Sequence, residues 1–177
     1  MVSRFLNNLR LSWTLADKEP LVFVAVLVLI GGAFVFALRA AYARQDDRRN
    51  LACLARNIYF EARGEPVKGQ HAVAEVTMNR RASGRYPGTV CGVVYQKNWD
   101  PLRKRYVSAF SWTEFDSLPP PAGEQWMQAW EIAEAVYYGR EPSVLDGAMF
   151  FHATYVKPDW AKTKKPLARI GGHVFYR

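Results

Sequence analysis

Glu61 is the side chain in this sequence best placed for acid chemistry. Leu51, Leu54, Ala55, Ile58 and Ala62 recur at helical spacing and form an apolar stripe. Glu61 follows Ile58 by three residues and Leu54 by seven, so it projects from that stripe. Asn50 stands where an N-cap is expected, and Gly64 and Pro66 supply the stop. A carboxyl group at this position is half-buried and lies in the last turn of its helix. Burial disfavours its charged form, and the negative end of the helix dipole disfavours it again. A carboxylic acid kept protonated near neutral pH is what cleavage of a glycosidic bond needs as a general acid. The same spacing also fits a structural carboxylate at the edge of the core, paired with Arg56 or Arg63. Glu65, one turn further on, is the candidate second carboxylate, although it follows Gly64 and precedes Pro66 and can equally turn to solvent or pair with Arg63.

The surroundings narrow the choice. The runs Glu61-Ala62-Arg63-Gly64-Glu65, Gly69-Gln70-His71-Ala72-Val73-Ala74-Glu75-Val76-Thr77-Met78-Asn79-Arg80, Tyr86-Pro87-Gly88-Thr89-Val90-Cys91-Gly92-Val93-Val94-Tyr95-Gln96 and Phe110-Ser111-Trp112 follow one another in order. Together they resemble the SleB-type cell-wall hydrolases, peptidoglycan-degrading enzymes of the spore-cortex-lytic type. The resemblance runs from about Leu51 to the C-terminus. It implies an α+β fold, a lysozyme-like and mainly helical domain with a small β element, that cuts the glycan strand with Glu61 as the acid. In that family a Gln commonly precedes the Phe-Ser pair. Here Ala109 stands in its place, so any substrate contact made by that Gln is missing.

Four segments must position or deliver this chemistry. Residues 1–20 are a polar leader in which Phe5, Leu6, Leu9 and Trp13 form an amphipathic turn or two. Leu21 to Leu38 carries no charge over 18 residues, a helix of about 27 Å, close to the thickness of a bilayer core. Ala41-Tyr42-Ala43 has the small-x-small pattern of a signal-peptide cleavage site, but the long leader, the long apolar run and the intervening Arg39 favour an uncleaved transmembrane anchor. Residues 39–50 form a short charged tether, and residues 51–177 the catalytic domain. Arg4, Arg10 and Lys18 precede the apolar run and Arg39, Arg44, Arg48 and Arg49 follow it, so the positive-inside rule does not orient it. A peptidoglycan substrate does, by placing the domain on the periplasmic side of the inner membrane.

The chain carries a net charge of +8. The first 50 residues hold seven Lys/Arg against four Asp/Glu, a net of +3, leaving +5 on the remainder. A basic domain suits an anionic polymer. No nucleic-acid-binding motif accompanies the charge, so nucleic acid is not an expected partner.

Beyond the Glu61 helix, Lys68 to Arg81 reads as a second helix ended by Gly84. Gln70, Asn79 and Arg80 are its candidate substrate-binding residues, the last two where side chains at a helix end can reach a cleft. Val90 to Tyr95 reads as a short strand or a single helical turn. Cys53 and Cys91 either form a disulfide or remain as two buried thiols; spacing does not choose between them. Lys97 to Arg105 reads as a basic loop. Phe110, Ser111 and Trp112 are candidate substrate contacts, the two rings alternatively filling the core. Pro119-Pro120-Pro121 is stiff, and Glu124 to Tyr138 is a helix with Trp126, Met127, Trp130, Ala133, Val136 and Tyr137 on its apolar stripe. Ala148 to Val156 and Arg169 to Tyr176 read as strands, the second with a Gly-Gly bend; each carries a histidine, His152 and His173.

The leading reading is a peptidoglycan-cleaving glycosidase, with lytic transglycosylation favoured because only one acid is well placed. A hydrolytic muramidase using a second carboxylate and a non-catalytic wall-binding module are the alternatives. No cofactor or metal is expected, because His71, His152 and His173 lack a metal-ligand spacing.

Overall fold

A computed structural model describes residues 19–101, 103–145 and 147–177. The leader, apart from Glu19 and Pro20, lies outside the described residues. Contacts divide the chain into two units, one ending at Asp46 and the other running from Asp47 to Arg177. The first helix, α1 (Glu19–Ala62), opens with an 18-residue apolar window of mean hydropathy 3.0, none of it buried. Leu21, Phe23, Leu29 and Phe36 all stand exposed. A soluble helix would show a polar face here, and this one shows none. It is long and apolar enough to cross a membrane.

The helix does not begin at Leu51 as the sequence suggested. Residues 39–50 are rich in Ala and Arg and contain no Gly or Pro, so nothing interrupts it. Asn50 therefore sits inside a helix rather than capping its own. Its Oδ1 accepts from the backbone N–H of Val90 at 2.9 Å and of Cys91 at 3.3 Å. Those are first-turn amides of the short helix α3 (Val90–Val94), whose own N-cap, Thr89, takes the Gly92 N–H at 3.0 Å. Asn50 is thus a cap, but of another helix. A Cys53–Cys91 disulfide ties the same two elements together across 38 residues. Closing a loop of that length is worth about 2–4 kcal/mol. Cys53→Ser with Cys91→Ser is expected to lose that much in urea unfolding; an unchanged midpoint would show that the bridge contributes nothing.

The helix α2 (Val67–Ala82) runs close to its expected limits. Every residue from Gly69 to Thr77 is buried, because the helix packs on both sides. Ala74 joins Leu54, Ile58, Val90, Val93, Phe110, Ile132 and Ala133 in one apolar cluster. Ala72, Val73 and Val76 join Ala62, Leu145, Ala148 and Phe175 in another. The helix α4 (Glu124–Tyr137) supplies Ala129, Ile132 and Ala133 to the first cluster, while Met127, expected on its apolar stripe, is exposed.

The basic stretch Lys97 to Arg105 is not a loop. Strands β1 (Lys97–Asp100) and β2 (Arg105–Ser108) pair antiparallel, Trp99 opposite Tyr106. Those two rings meet edge to face at 5.4 Å, a cross-strand pair that Pro101 within the turn does not disturb. The C-terminal block holds three strands, β3 (Phe150–Ala153), β4 (Pro166–Ile170) and β5 (His173–Tyr176), in the order β3-β5-β4, all antiparallel. The expected Gly-Gly bend is the turn between β4 and β5, with Gly171 at φ 55°.

Candidate active site

A cleft of about 410 Å³ opens between the end of α1, the end of α2, the Phe110 region, β3 with the residues after it, and the start of β5. Phe60, Glu61, Arg80, Ala109, Phe110, Ser111, Phe151, His152, Tyr155 and His173 are among the residues that line it. The expected site residues separate here. Glu61, Arg80, Phe110 and Ser111 come together in the cleft, while Glu65, Gln70, Asn79 and Trp112 are not among its lining.

Glu61 reaches the cleft from the last turn of α1, where the stripe that seats Ile58 and Ala62 in the core also carries its carboxyl half-buried. Burial pushes this carboxyl up to about 7, against the opposing pull of the Arg80 guanidinium. Near neutral pH the group therefore exists in both protonation states. Arg80 is itself drawn below its usual range by burial, with Tyr86 and Glu61 acting the other way, and remains a cation. Its Nε donates to the Met149 carbonyl at 2.8 Å, and its guanidinium lies 5.3 Å from the Phe110 ring centre and 5.5 Å from that of Tyr86. Asn79 Nδ2 donates to the neighbouring Ala148 carbonyl at 3.0 Å. The Asn-Arg pair thus clamps the segment entering β3 to the end of α2. Only Arg80 also faces the cleft.

Glu65 is committed elsewhere. Its Oε2 accepts the Gly172 N–H at 2.7 Å, and Oε1 lies 3.7 Å from His173 Nδ1, beyond hydrogen-bonding distance. A Cβ on Gly171 would stand 2.0 Å from Glu65 Oε2, and one on Gly172 would stand 2.7 Å from Oε1. The two glycines let the β4–β5 turn close over this carboxylate. Gln70, 2% exposed, donates from Nε2 to the Glu65 carbonyl at 3.0 Å and to Gln128 Oε1 at 3.2 Å. It secures the chain just past α1. Glu75, also buried, accepts from Ser143 Oγ and from the backbone N–H groups of Val144 and Leu145.

Trp112 is fixed by a residue the sequence reading passed over. Asn57, fully buried in α1, accepts from Trp112 Nε1 at 2.9 Å and donates to Thr77 Oγ1 at 3.1 Å. Phe60 stacks on the Trp112 ring at 4.7 Å. Phe110 is only 3% exposed, which makes it a core residue as well as part of the cleft lining.

The cleft gains both C-terminal histidines. His152 Nδ1 lies 2.9 Å from the Ala153 carbonyl, which can only accept, so Nδ1 carries the proton. In the neutral ring Nε2 then accepts from Tyr176 Oη, also at 2.9 Å. His173 is held below the usual histidine range chiefly by burial, with Glu65 pulling the other way and His152 adding to the fall. His71, the third histidine, pairs with Glu141 at 3.4 Å and is not part of the cleft lining. Tyr155, 89% exposed, stands at the rim. The sequence placed His173 on a strand without showing that the strand lies beside Glu61, and nothing in the local sequence singled out Tyr155.

Comparison with known proteins places the chain. The spore cortex-lytic enzyme of Bacillus subtilis is 32% identical over 133 residues, covering 73% of this chain and 38% of the relative. That of Oceanobacillus iheyensis is 29% identical over 130 residues, covering 73% and 42%. The chain thus spans about two-fifths of the length of these curated relatives. Among solved structures, the catalytic domain of the Bacillus cereus SleB protein matches with a TM-score of 0.57 at 27% identity, over 73% of this chain and 91% of that one. The catalytic domain of the germination-specific lytic transglycosylase SleB from Bacillus anthracis matches with a TM-score of 0.57 at 26% identity, over 72% and 93%. The helix-dominated fold with small sheets is therefore that of the SleB catalytic domain. Residues 64–176 match the family model described as cell wall hydrolase, and the chain belongs to that family.

Proposed function

We propose that this chain is a peptidoglycan-cleaving glycosidase that works as a lytic transglycosylase on the bond between N-acetylmuramic acid and N-acetylglucosamine. The observation that carries this reading is that Glu61 is the only carboxylate among the described residues lining the cleft, and that burial raises it to about 7. Protonated Glu61 gives its proton to the glycosidic oxygen as the bond from that oxygen to the muramyl C1 breaks. The muramyl 6-hydroxyl then bonds to C1 and passes its proton to the Glu61 carboxylate. The ring closes as a 1,6-anhydro sugar and the acid is regenerated. No water is consumed and no protein nucleophile is needed. A hydrolytic enzyme would need a second carboxylate across the scissile bond, about 5–10 Å from the first depending on stereochemistry. Glu65, the candidate, is engaged by the Gly172 N–H instead.

In this reading Leu21 to Leu38 anchors the chain in the inner membrane as a single pass, and the domain from Leu51 onward works on the periplasmic side. The anchor's support is its exposed apolar surface; the orientation follows from where peptidoglycan lies.

The full chain in detergent, incubated with purified peptidoglycan, tests the chemistry by mass spectrometry of the released fragments. Anhydro-muramyl ends are expected. Reducing ends would replace the lytic reading with a muramidase, and bound but uncut peptidoglycan would replace it with a binding module.

A further inference from the structure

A second depression lies on the other side of Phe60. It holds about 300 Å³ and is walled by Phe60, Tyr95, Trp112, Phe115 and the Pro119–Pro121 run, with Arg56 as the one cation among its described residues. Phe60 lines both this trough and the cleft that holds Glu61, so the two are neighbours across a single ring. The trough is built rather than incidental. The Trp112 indole N–H is spent inward on Asn57, which leaves the ring no polar business outside and fixes its plane. Phe60 stacks on it at 4.7 Å and Tyr95 meets it edge-on at 5.7 Å. Phe115, 65% exposed, and Tyr95, 43% exposed, remain open to solvent. The prolines form a stiff far wall that loses little entropy when something settles against it.

Flat, rigid aromatic rings beside one cation suit an amphipathic ring that carries an anionic substituent. A saccharide presents C–H faces to stack, and muramic acid adds a lactyl carboxylate that a guanidinium can hold. We propose that the trough is a second saccharide subsite, which holds a further sugar of the glycan strand whose scissile bond lies at Glu61, with Arg56 on its carboxylate. The proposal rests on the reading of the cleft as a glycan-cutting site. It adds that strand length is sensed on the aromatic wall and lactyl charge at Arg56, beside the catalytic cleft.

Binding tests it without turnover. The full chain carrying Glu61→Gln, in detergent, is titrated by calorimetry with two glycan probes, strands stripped of their stem peptides and neutral chitin oligomers, and with stem-bearing strands as the comparison. Tyr95→Ala with Phe115→Ala is expected to raise Kd for both probes by about tenfold. Arg56→Ala is expected to raise Kd for the stripped muramyl strands by about fivefold and to leave the chitin oligomers unchanged. All three side chains are exposed, and a melting curve for each variant checks the fold. Arg56→Ala alone keeps the proposal testable if the aromatic double variant does not fold. Unchanged Kd values in variants that still bind strands would overturn the subsite and leave the cleft reading intact. No binding of stripped strands by the Glu61→Gln chain would overturn both. Sensitivity that appears only with stem-bearing strands would make the occupant a peptide and overturn the saccharide assignment.

Discussion

Glu61→Gln is expected to cut the rate of peptidoglycan cleavage by about 10²–10⁴-fold, the range that a single general acid supplies, while strand binding survives. Glutamine keeps the shape and loses the proton, so the loss reports chemistry rather than packing. The parent's kcat/KM should fall as pH rises through about 7, because the carboxyl raised to that value by burial must be protonated to start the reaction. A basic limb near pH 4.5 would mean that Glu61 is not held in its neutral form, and a variant with unimpaired cleavage would remove it from the mechanism.

The same displacement carries a stability signature. A carboxyl whose folded value lies above its unfolded value binds protons more tightly in the native state. Its contribution is fully present below about 4.5 and is lost as pH rises through about 7. The native chain should therefore be less stable at pH 8 than Glu61→Gln, by about 3 kcal/mol, and the gap should close toward pH 4.5. Denaturant melts of both proteins across that range measure it. A variant that is both inactive and more stable at high pH marks a group kept for catalysis at the fold's expense.

The place of Glu61 in the cleft was legible because one helical stripe sets it: the residues that seat α1 in the core also fix the direction of this carboxyl. The stop at Gly64 and Pro66, the course of α2 and the apolar window of α1 were legible for the same reason, since local spacing and composition determine them. Partners distant in sequence were not. Asn50 carries every mark of a cap, yet its amides belong to Val90 and Cys91, forty residues on. Asn57 looks like a polar interruption of the stripe until Thr77 and Trp112 satisfy it. Arg103, Lys104 and Arg105 suggested a loop, and the Trp99–Tyr106 pairing that makes a hairpin emerges only when two strands meet. Asn79 and Arg80 had the right address, the end of α2, but only the fold shows Asn79 spent on a carbonyl and Arg80 shared between a carbonyl and the cleft.

Gly171→Ala is expected to destabilise the domain by about 2–4 kcal/mol, since a side chain at φ 55° is strained in itself and its Cβ would stand 2.0 Å from Glu65 Oε2. The two costs separate in a double-mutant cycle. With Glu65→Ala in the background the carboxylate is gone, and Gly171→Ala should then cost only the backbone strain and the contact with Pro66, about 1–2 kcal/mol. Urea unfolding of the four proteins gives the coupling directly. An additive cycle would mean that the turn does not close over Glu65. Glu65→Gln settles the role of the same residue in the chemistry. Its amide oxygen can still accept the Gly172 N–H, so a structural Glu65 predicts cleavage within a few-fold of the parent, with anhydro ends unchanged. A loss comparable to that of Glu61→Gln would make Glu65 the second carboxylate after all. The turn would then serve to aim it, and the stereochemistry of the product would have to be read from two acids instead of one.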